Sequence, residues 1–470
     1  MSLSLTNNVS SLTAQHNLQR SSMAVARSVE RLSSGLKINR GADGPASLVI
    51  SEKQRAQIAG LRQAIENSDK AVSLVQTAEG ALNEINSLLV KVRTLAIDSA
   101  NAGVNDADAL AANQAEIGNA LDTINRIANN TQFGTKKLLD GSAGISGSTN
   151  DTDVTLLQTT ADTAAGSYAV EVTTAAERAL AQNGTAQTGA LAAAEVLTVN
   201  GVAISLDAGL SQSQVVDRIN EFSSQTGVTA ETNGANTRLY TNSFGSSASI
   251  SVVSDTAAAA TSSGFGTTAI NDTGVDVAGT IDGVAGTGTG TVLTATSGSA
   301  NGVSLSFAVS GTDATATVTG AQGSLTVTDN SLVFQIGPNA SQTASVAISK
   351  VTSNSLGVGL TGNQFNSLQD LDVTTSTGAQ DALSVIDKAI DDVTNLRGDL
   401  GAFQQNTLAS TANNLQATLE NTVNAESVIR DTDFAEEIAN FTKQQVLLQA
   451  GTSVLGNANQ LPQMVLSLLR

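Results

Sequence analysis

The chain has 470 residues and a formal net charge of −19, with 23 Lys and Arg against 42 Asp and Glu, 41 Gly, one His, and neither Cys nor Trp. A polyanion of this size repels phosphate backbones, so no nucleic-acid partner is expected. The lack of Cys removes thiolate nucleophiles, thiolate metal sites and disulfides, and His16 alone cannot build a His-rich metal site or a Ser-His-Asp centre. No window approaches the ~18–20 consecutive apolar residues of a membrane span. The opening Met1-Ser2-Leu3-Ser4-Leu5 has neither a basic nor an apolar leader region, so no cleavable secretory signal is expected.

Composition divides the chain in three. Residues 1 to about 145 and about 365 to 470 place Leu, Ile and Val at helical spacing, whereas the middle is rich in Gly, Ala, Ser and Thr. Between 145 and 360 there are four basic residues against sixteen acidic ones, so the middle holds −12 of the −19 charges. In the first helix, Leu18, Val25, Val29, Leu32 and Leu36 step by seven, four, three and four, the spacing of a heptad seam. Gly35, Gly41, Gly44 and Pro45 break it. A second helix over about 46–100 carries Leu61, Ile65, Val72, Val75, Leu82 and Leu89 and would be roughly 80 Å long at ~1.5 Å per residue. A third holds Leu110, Ile117, Leu121 and Ile124 and stops near Gly134.

The middle reads as β structure. Val303, Leu305, Phe307 and Val309 alternate with small residues, as do Leu332, Phe334 and Ile336. Asn-Gly pairs at 200–201, 233–234 and 301–302 signal hairpins or turns, and Val215–Phe222 reads as a short helix. Gly286-Thr287-Gly288-Thr289-Gly290 has no Lys after it, so it is expected to be a flexible turn rather than a phosphate loop. Asp272-Thr273-Gly274-Val275-Asp276 lacks the length and final Glu of an EF-hand.

One long helix follows, from Leu383 through Ile386, Ile390, Val393, Leu400, Leu408, Leu415 and Val423. After Arg430-Asp431-Thr432-Asp433, a last helix carries Phe434, Ile438, Phe441 and Leu448, and the final ten residues are strongly apolar. Two terminal stripes of this width exceed what one helix pair can bury; the alternative is that both pack together inside a closed monomeric bundle. Large exposed apolar surface marks association, and a head-to-tail contact repeated between copies propagates into a helical filament.

Arg31-Leu32-Ser33-Ser34-Gly35-Leu36-Lys37-Ile38-Asn39 resembles the N-terminal signature of bacterial flagellin, as do Thr131-Gln132-Phe133 and Lys136–Gly141. Gln449–Leu455 and Val465–Arg470 look like the flagellin C-terminus, and Phe334–Gly337 with Gln342-Thr343 resembles a segment that re-enters the shared core. The resemblance implies a fold that is mostly α at both termini, a long antiparallel coiled-coil helical bundle with an inserted β-rich or α+β variable region. It further implies five parts: 1–45, an N-terminal inner-tube helix; 46–147, the N-terminal half of the helical core; 148–331, a surface insertion with a family-like module at 166–255; 332–430, the C-terminal half; and 431–470, the C-terminal inner-tube helix. The expected interface residues are Leu18, Val25, Val29, Leu32, Leu36, Phe434, Ile438, Phe441, Leu448, Leu455, Leu466 and Leu469. No catalytic residue, metal or cofactor is expected.

The implied function is a non-enzymatic filament subunit for swimming, outside the cell, delivered by flagellar type III export. The implied partners are copies of itself, an export chaperone on about 430–470, and the flagellar cap and hook-associated proteins. Lys91, Arg93, Leu95, Asp98 and Glu116 match positions that a Toll-like innate receptor reads in some flagellins. Contacts between neighbouring subunits are the alternative role for those five. A hook–filament junction protein and a secreted filamentous adhesin with flagellin-like termini are the competing readings for the whole chain.

Overall fold

The computed structural model describes residues 8–101, 103–309 and 316–468, with the backbone alone for 461–468. Among these residues eight α-helices occur: α1 (Val9–Ser34), α2 (Pro45–Ser99), α3 (Ala107–Asn130), α4 (Gln212–Asn220), α5 (Ser223–Thr226), α6 (Ser376–Ala402), α7 (Ser410–Arg430) and α8 (Phe434–Leu468). The chain forms two compact units. The first takes Met1–Asp69, Gln335–Thr343 and Ala409–Arg470; the second takes Lys70–Phe334 and Ala344–Leu408.

Local chemistry sets the helix ends. Asn8 caps α1 by accepting from the Ser11 amide at 3.0 Å, and Gly35, at φ 71°, ends it in the left-handed region. Pro45 is the first residue of α2, where its missing N–H has no intrahelical partner to lose. Asp106 caps α3 through the Ala109 amide at 2.9 Å.

In the second unit, Leu82, Ile85, Leu89, Val92 and Ala96 of α2 are buried, as are Ile117, Leu121 and Ile124 of α3 and Val385, Ile386, Ala389, Val393, Leu396 and Leu400 of α6. Each large aliphatic side chain buried fully contributes roughly 1.5–3 kcal/mol of transfer free energy. The long helix expected from Leu383 onward is not uniform, because Phe403–Ala409 winds as a π-helix. The buried positions of α6 step by three and four to Leu400, and the next fully buried residue is Leu408. A step of eight overshoots two α-helical turns, and the wider π turn takes up the extra residue. Phe403 packs on Phe334, with ring centroids 6.3 Å apart.

The inserted β region has two cores, and every strand pair recorded within it is antiparallel. One core lies among the sheet of Leu180–Gln182, Asn236–Thr241 and Val228–Asn233, the sheet of Ile270–Thr273, Ser249–Ser254, Glu195–Val199 and Val202–Leu206, and helix α4. Asn200 and Gly201 both have positive φ, 48° and 83°, as a two-residue type I′ hairpin turn requires. The other core lies between a five-stranded sheet centred on Gly166–Thr174 and a four-stranded one that includes Ser304–Phe307.

The glycine run at 286–290 is not a flexible turn. Thr287–Thr289 is a strand paired with Val292–Thr294, and a Cβ on Gly288 would lie 1.6 Å from the Val277 carbonyl oxygen. Gly stands there because another backbone crosses closely. The acidic run beside it is occupied by protein donors. Asp272 accepts from the Leu180 amide, and Asp276 accepts from the amides of Ser246 and Gly290.

Candidate functional site

Within the first unit, α1 and α8 pair antiparallel. The Asn8 Nδ2 donates to the Ala458 carbonyl at 2.9 Å and Ser11 Oγ to Asn459 Oδ1 at 2.6 Å, while Arg31 faces Glu437 at the other end. The buried and half-buried positions of α8 are Glu437, Phe441, Gln444, Leu448, Gly451, Leu455 and Ala458, a strict alternation of four and three. On α1 the same alternation runs through Ser11, Ala14, Leu18, Ser21, Val25, Ser28 and Leu32. Ser, Ala and Gly supply about half of this seam. A Cβ on Gly451 would sit 3.3 Å from Leu18 Cδ1, so the helices approach closely there.

This phase corrects the heptad expected for α1. Ser28 is buried and Val29 is exposed, because the seam selects small side chains and an apolar-only reading steps past them. Leu18, Val25, Leu32, Leu36, Phe441, Leu448 and Leu455 are half-buried, whereas Val29, Phe434 and Ile438 stay exposed. Leu466 and Leu469 lie outside the residues whose side chains are described. The seam takes Leu18, Val25, Leu32, Phe441, Leu448 and Leu455 but leaves other apolar groups outside it. Val9 is 66% exposed, Val446 58% and Val428 83%, and thirteen of the 21 exposed large hydrophobic side chains among the described residues belong to this unit. Single exposed aliphatics are ordinary on any protein, but this concentration on two paired helices and their neighbours is not.

The helices α1 and α2 are joined by residues 35–44, and α7 and α8 by Asp431–Asp433. These connectors meet in one antiparallel bridge, Leu36 with Asp431, in which the Lys37 amide donates to the Arg430 carbonyl at 2.7 Å and the Thr432 amide to the Gly35 carbonyl at 3.0 Å. In the first connector, hydrogen bonds from the Arg40 and Asn39 amides hold the Asp43 carboxyl below its ordinary range. Beside the second, Arg55 and then Arg430 do the same for Glu52.

In the second unit, Lys91 and Asp98 of α2 meet Glu116 and Asn113 of α3, whereas Arg93 turns to α6 and does not join them. Lys91 pairs with Glu116 at 2.6 Å, and the Asn113 Nδ2 donates to Asp98 at 2.8 Å. Arg93 pairs with Asp387 of α6 at 2.6 Å, which raises the guanidinium's proton affinity by hydrogen bonding and then by charge. Leu95 is half-buried. Asp387 carries no sequence signal, since it stands 294 residues from its partner.

A groove of about 400 Å³ in the first unit is lined by Gln57, Leu61, Pro338, Thr411, Leu415 and Thr418 among others. Its lining offers amides, hydroxyls and apolar groups but no titratable side chain, so it supplies no general acid or base. No cluster of His, Cys, Asp and Glu suited to a metal occurs among the described residues.

The family model for the bacterial flagellin N-terminal helical region matches residues 5–144, that for the C-terminal helical region matches 383–469, and the flagellin hook IN motif matches 183–256. The B-type flagellin of Pseudomonas aeruginosa is 35% identical, covering all of both chains. A flagellin of Salmonella typhimurium is 33% identical over 99% of each chain, and polar flagellin C of Vibrio parahaemolyticus is 30% identical over the whole of each.

Proposed function

We propose how assembly is divided along this chain, which belongs to the bacterial flagellins and is a structural subunit of the helical flagellar filament that drives swimming. Residues 1–45 and 431–470 form the inner tube. Residues 46–147 and 332–430 form the helical layer around it, and 148–331, with its excess of negative charge, faces water and keeps neighbouring filaments apart. The observation that carries this division is the row of apolar side chains left on α1 and α8 after those helices have paired. In the filament, Val29, Phe434, Ile438 and Val446 are covered by other copies, while Leu18, Val25, Leu32, Leu36, Phe441, Leu448 and Leu455 hold the pair that presents them. Leu466 and Leu469 complete the set assigned to contacts between copies.

Ile438→Asp and Val446→Asp test this reading. Each puts a charge on an exposed, off-seam position, so the monomer folds as before and seeded elongation slows at least ~10-fold, the effect of about 1.4 kcal/mol at each contact. Electron microscopy of growth from short filament fragments reads the rate, and parent-like growth of both variants would sink the assignment.

The finer partners belong to the same proposal. Residues 431–470 are covered by an export chaperone until the chain leaves by type III export, and the finished ends meet the flagellar cap and hook-associated proteins. No helix among the described residues is long and apolar enough to cross a membrane. Lys91, Leu95, Asp98 and Glu116, with Arg93 toward α6, are the groups that α2 and α3 offer to a Toll-like receptor. Leu95→Ala should lower receptor signalling by monomer several-fold in a reporter assay, since an apolar group at the centre of a contact outweighs rim charges. Equal signalling by variant and parent would leave those five residues to subunit contacts alone.

A further inference from the structure

We propose that Arg430 is the positioning residue of the joint between the α1/α8 pair and the α2/α7 pair, held there by its ion pair with Glu52. Only two connectors cross this joint, and one of them is three residues long. Their meeting is a single bridge with two backbone hydrogen bonds. So short a ladder has little cooperativity and is marginal by itself, so side chains have to hold it.

Arg430 reaches three segments at once. It ends α7, and its carbonyl accepts the Lys37 amide of the first connector. Its side chain turns back across α2, placing Nη1 3.0 Å from Glu52 Oε1 and 4.0 Å from Glu426 Oε1. Glu426 in turn accepts from the hydroxyl of Ser51, which is fully buried on α2, at 2.9 Å. Glu52 also accepts from Arg55 at 3.1 Å. The guanidinium therefore closes a chain of contacts running Arg55, Glu52, Arg430, Glu426, Ser51.

The Arg430 side chain is 17% exposed and that of Glu52 51%, so packing covers the arginine while solvent and salt screen the pair at its carboxylate end. The arginine Nε is buried without a partner, and an unmet buried donor is unfavourable. Two further pairs lie near the joint: Arg31 with Glu437 at 3.5 Å works within the α1/α8 pair, and Arg40 with Glu30 at 2.9 Å ties the first connector to α1, so neither reaches α2 or α7. Both carboxylates face the same Nη1 of Arg430, so Lys at position 430 would keep the charge that pairs with Glu52.

The test uses full-length chains assembled from seeds, with hydrogen exchange followed by mass spectrometry. In Arg430→Met, which keeps the stem and removes the charge, peptides covering 34–44 and 428–434 should exchange at least about tenfold faster. Peptides within 12–30 and 440–458 should stay within about twofold of the parent. Arg430→Lys should restore most of the protection. Glu52→Gln, which leaves the arginine stem untouched, should loosen the same two connectors. Unchanged connector exchange in Arg430→Met overturns the proposal, as does general loss of protection across α1 and α8. An effect in Arg430→Met that Glu52→Gln does not share also overturns it, because stem packing would then hold the joint. The surface residues assigned to assembly above are tested at other positions by growth rate, so either reading can fail without the other.

Discussion

Chains ending at Asp433 should not elongate filament seeds at all, while the second unit melts as it does in the full chain. The truncation removes α8 and with it the partner of every seam position on α1. Ala14 and Ser28, buried in the pair, would face water, and α1 would stand as a single 26-residue helix with seven Ser. Such a helix gains little from intrinsic propensity and depends on packing. Exposed Ile438, Val446 and Val454 go too, so both the presenting pair and the surface it presents are lost. No side chain of the second unit's cores lies beyond Leu408. Electron microscopy of seeded growth, with calorimetry on the same sample, checks both halves. Filaments of normal length from the truncated chain would refute the role given to α8.

Gly288→Ala should destabilise the second unit's β region by roughly 3 kcal/mol and leave filament growth within about twofold of the parent. The added Cβ would meet the Val277 carbonyl oxygen at 1.6 Å and its carbon at 2.8 Å. Both are backbone atoms with no rotamer to change, and Val277, Val292 and Leu293 around them are buried. Two strands must therefore separate or bend. Because the terminal helices belong to the other unit, the damage should stay local. Differential scanning calorimetry would show an earlier β-region transition. An unchanged transition would mean that the Val277 strand can yield where the packing says it cannot.

Strong periodicity made the helices legible. The span expected at about 46–100 is observed as Pro45–Ser99, and the helix read at Val215–Phe222 is Gln212–Asn220. Asn-Gly at 200–201 marks a hairpin turn, because few other pairs accept positive φ twice in a row. Three features escaped for separate reasons. The α1 seam was read one residue out of phase at Val29, since Ser28 carries no hydrophobic signal yet packs inside. The π turn at Phe403–Ala409 hides within a pattern that looks helical throughout, its only trace being the step of eight from Leu400 to Leu408. The charge pairs at Arg93–Asp387 and Arg430–Glu52 join residues 294 and 378 apart, and spacing along the chain says nothing about such partners.

The pairing of α1 with α8 also governs the order of folding. Asn8 and Ala458 stand 450 residues apart, and the ends of so long a loop meet late because closure entropy precedes any contact that rewards it. The inserted β strands and the helices beside them have nearer partners and can fold first. Whichever end of the polypeptide emerges first from a ribosome or a narrow conduit, its polymerising surface stays unfinished until the opposite end arrives. A nascent chain is thus kept from premature self-association by its own topology.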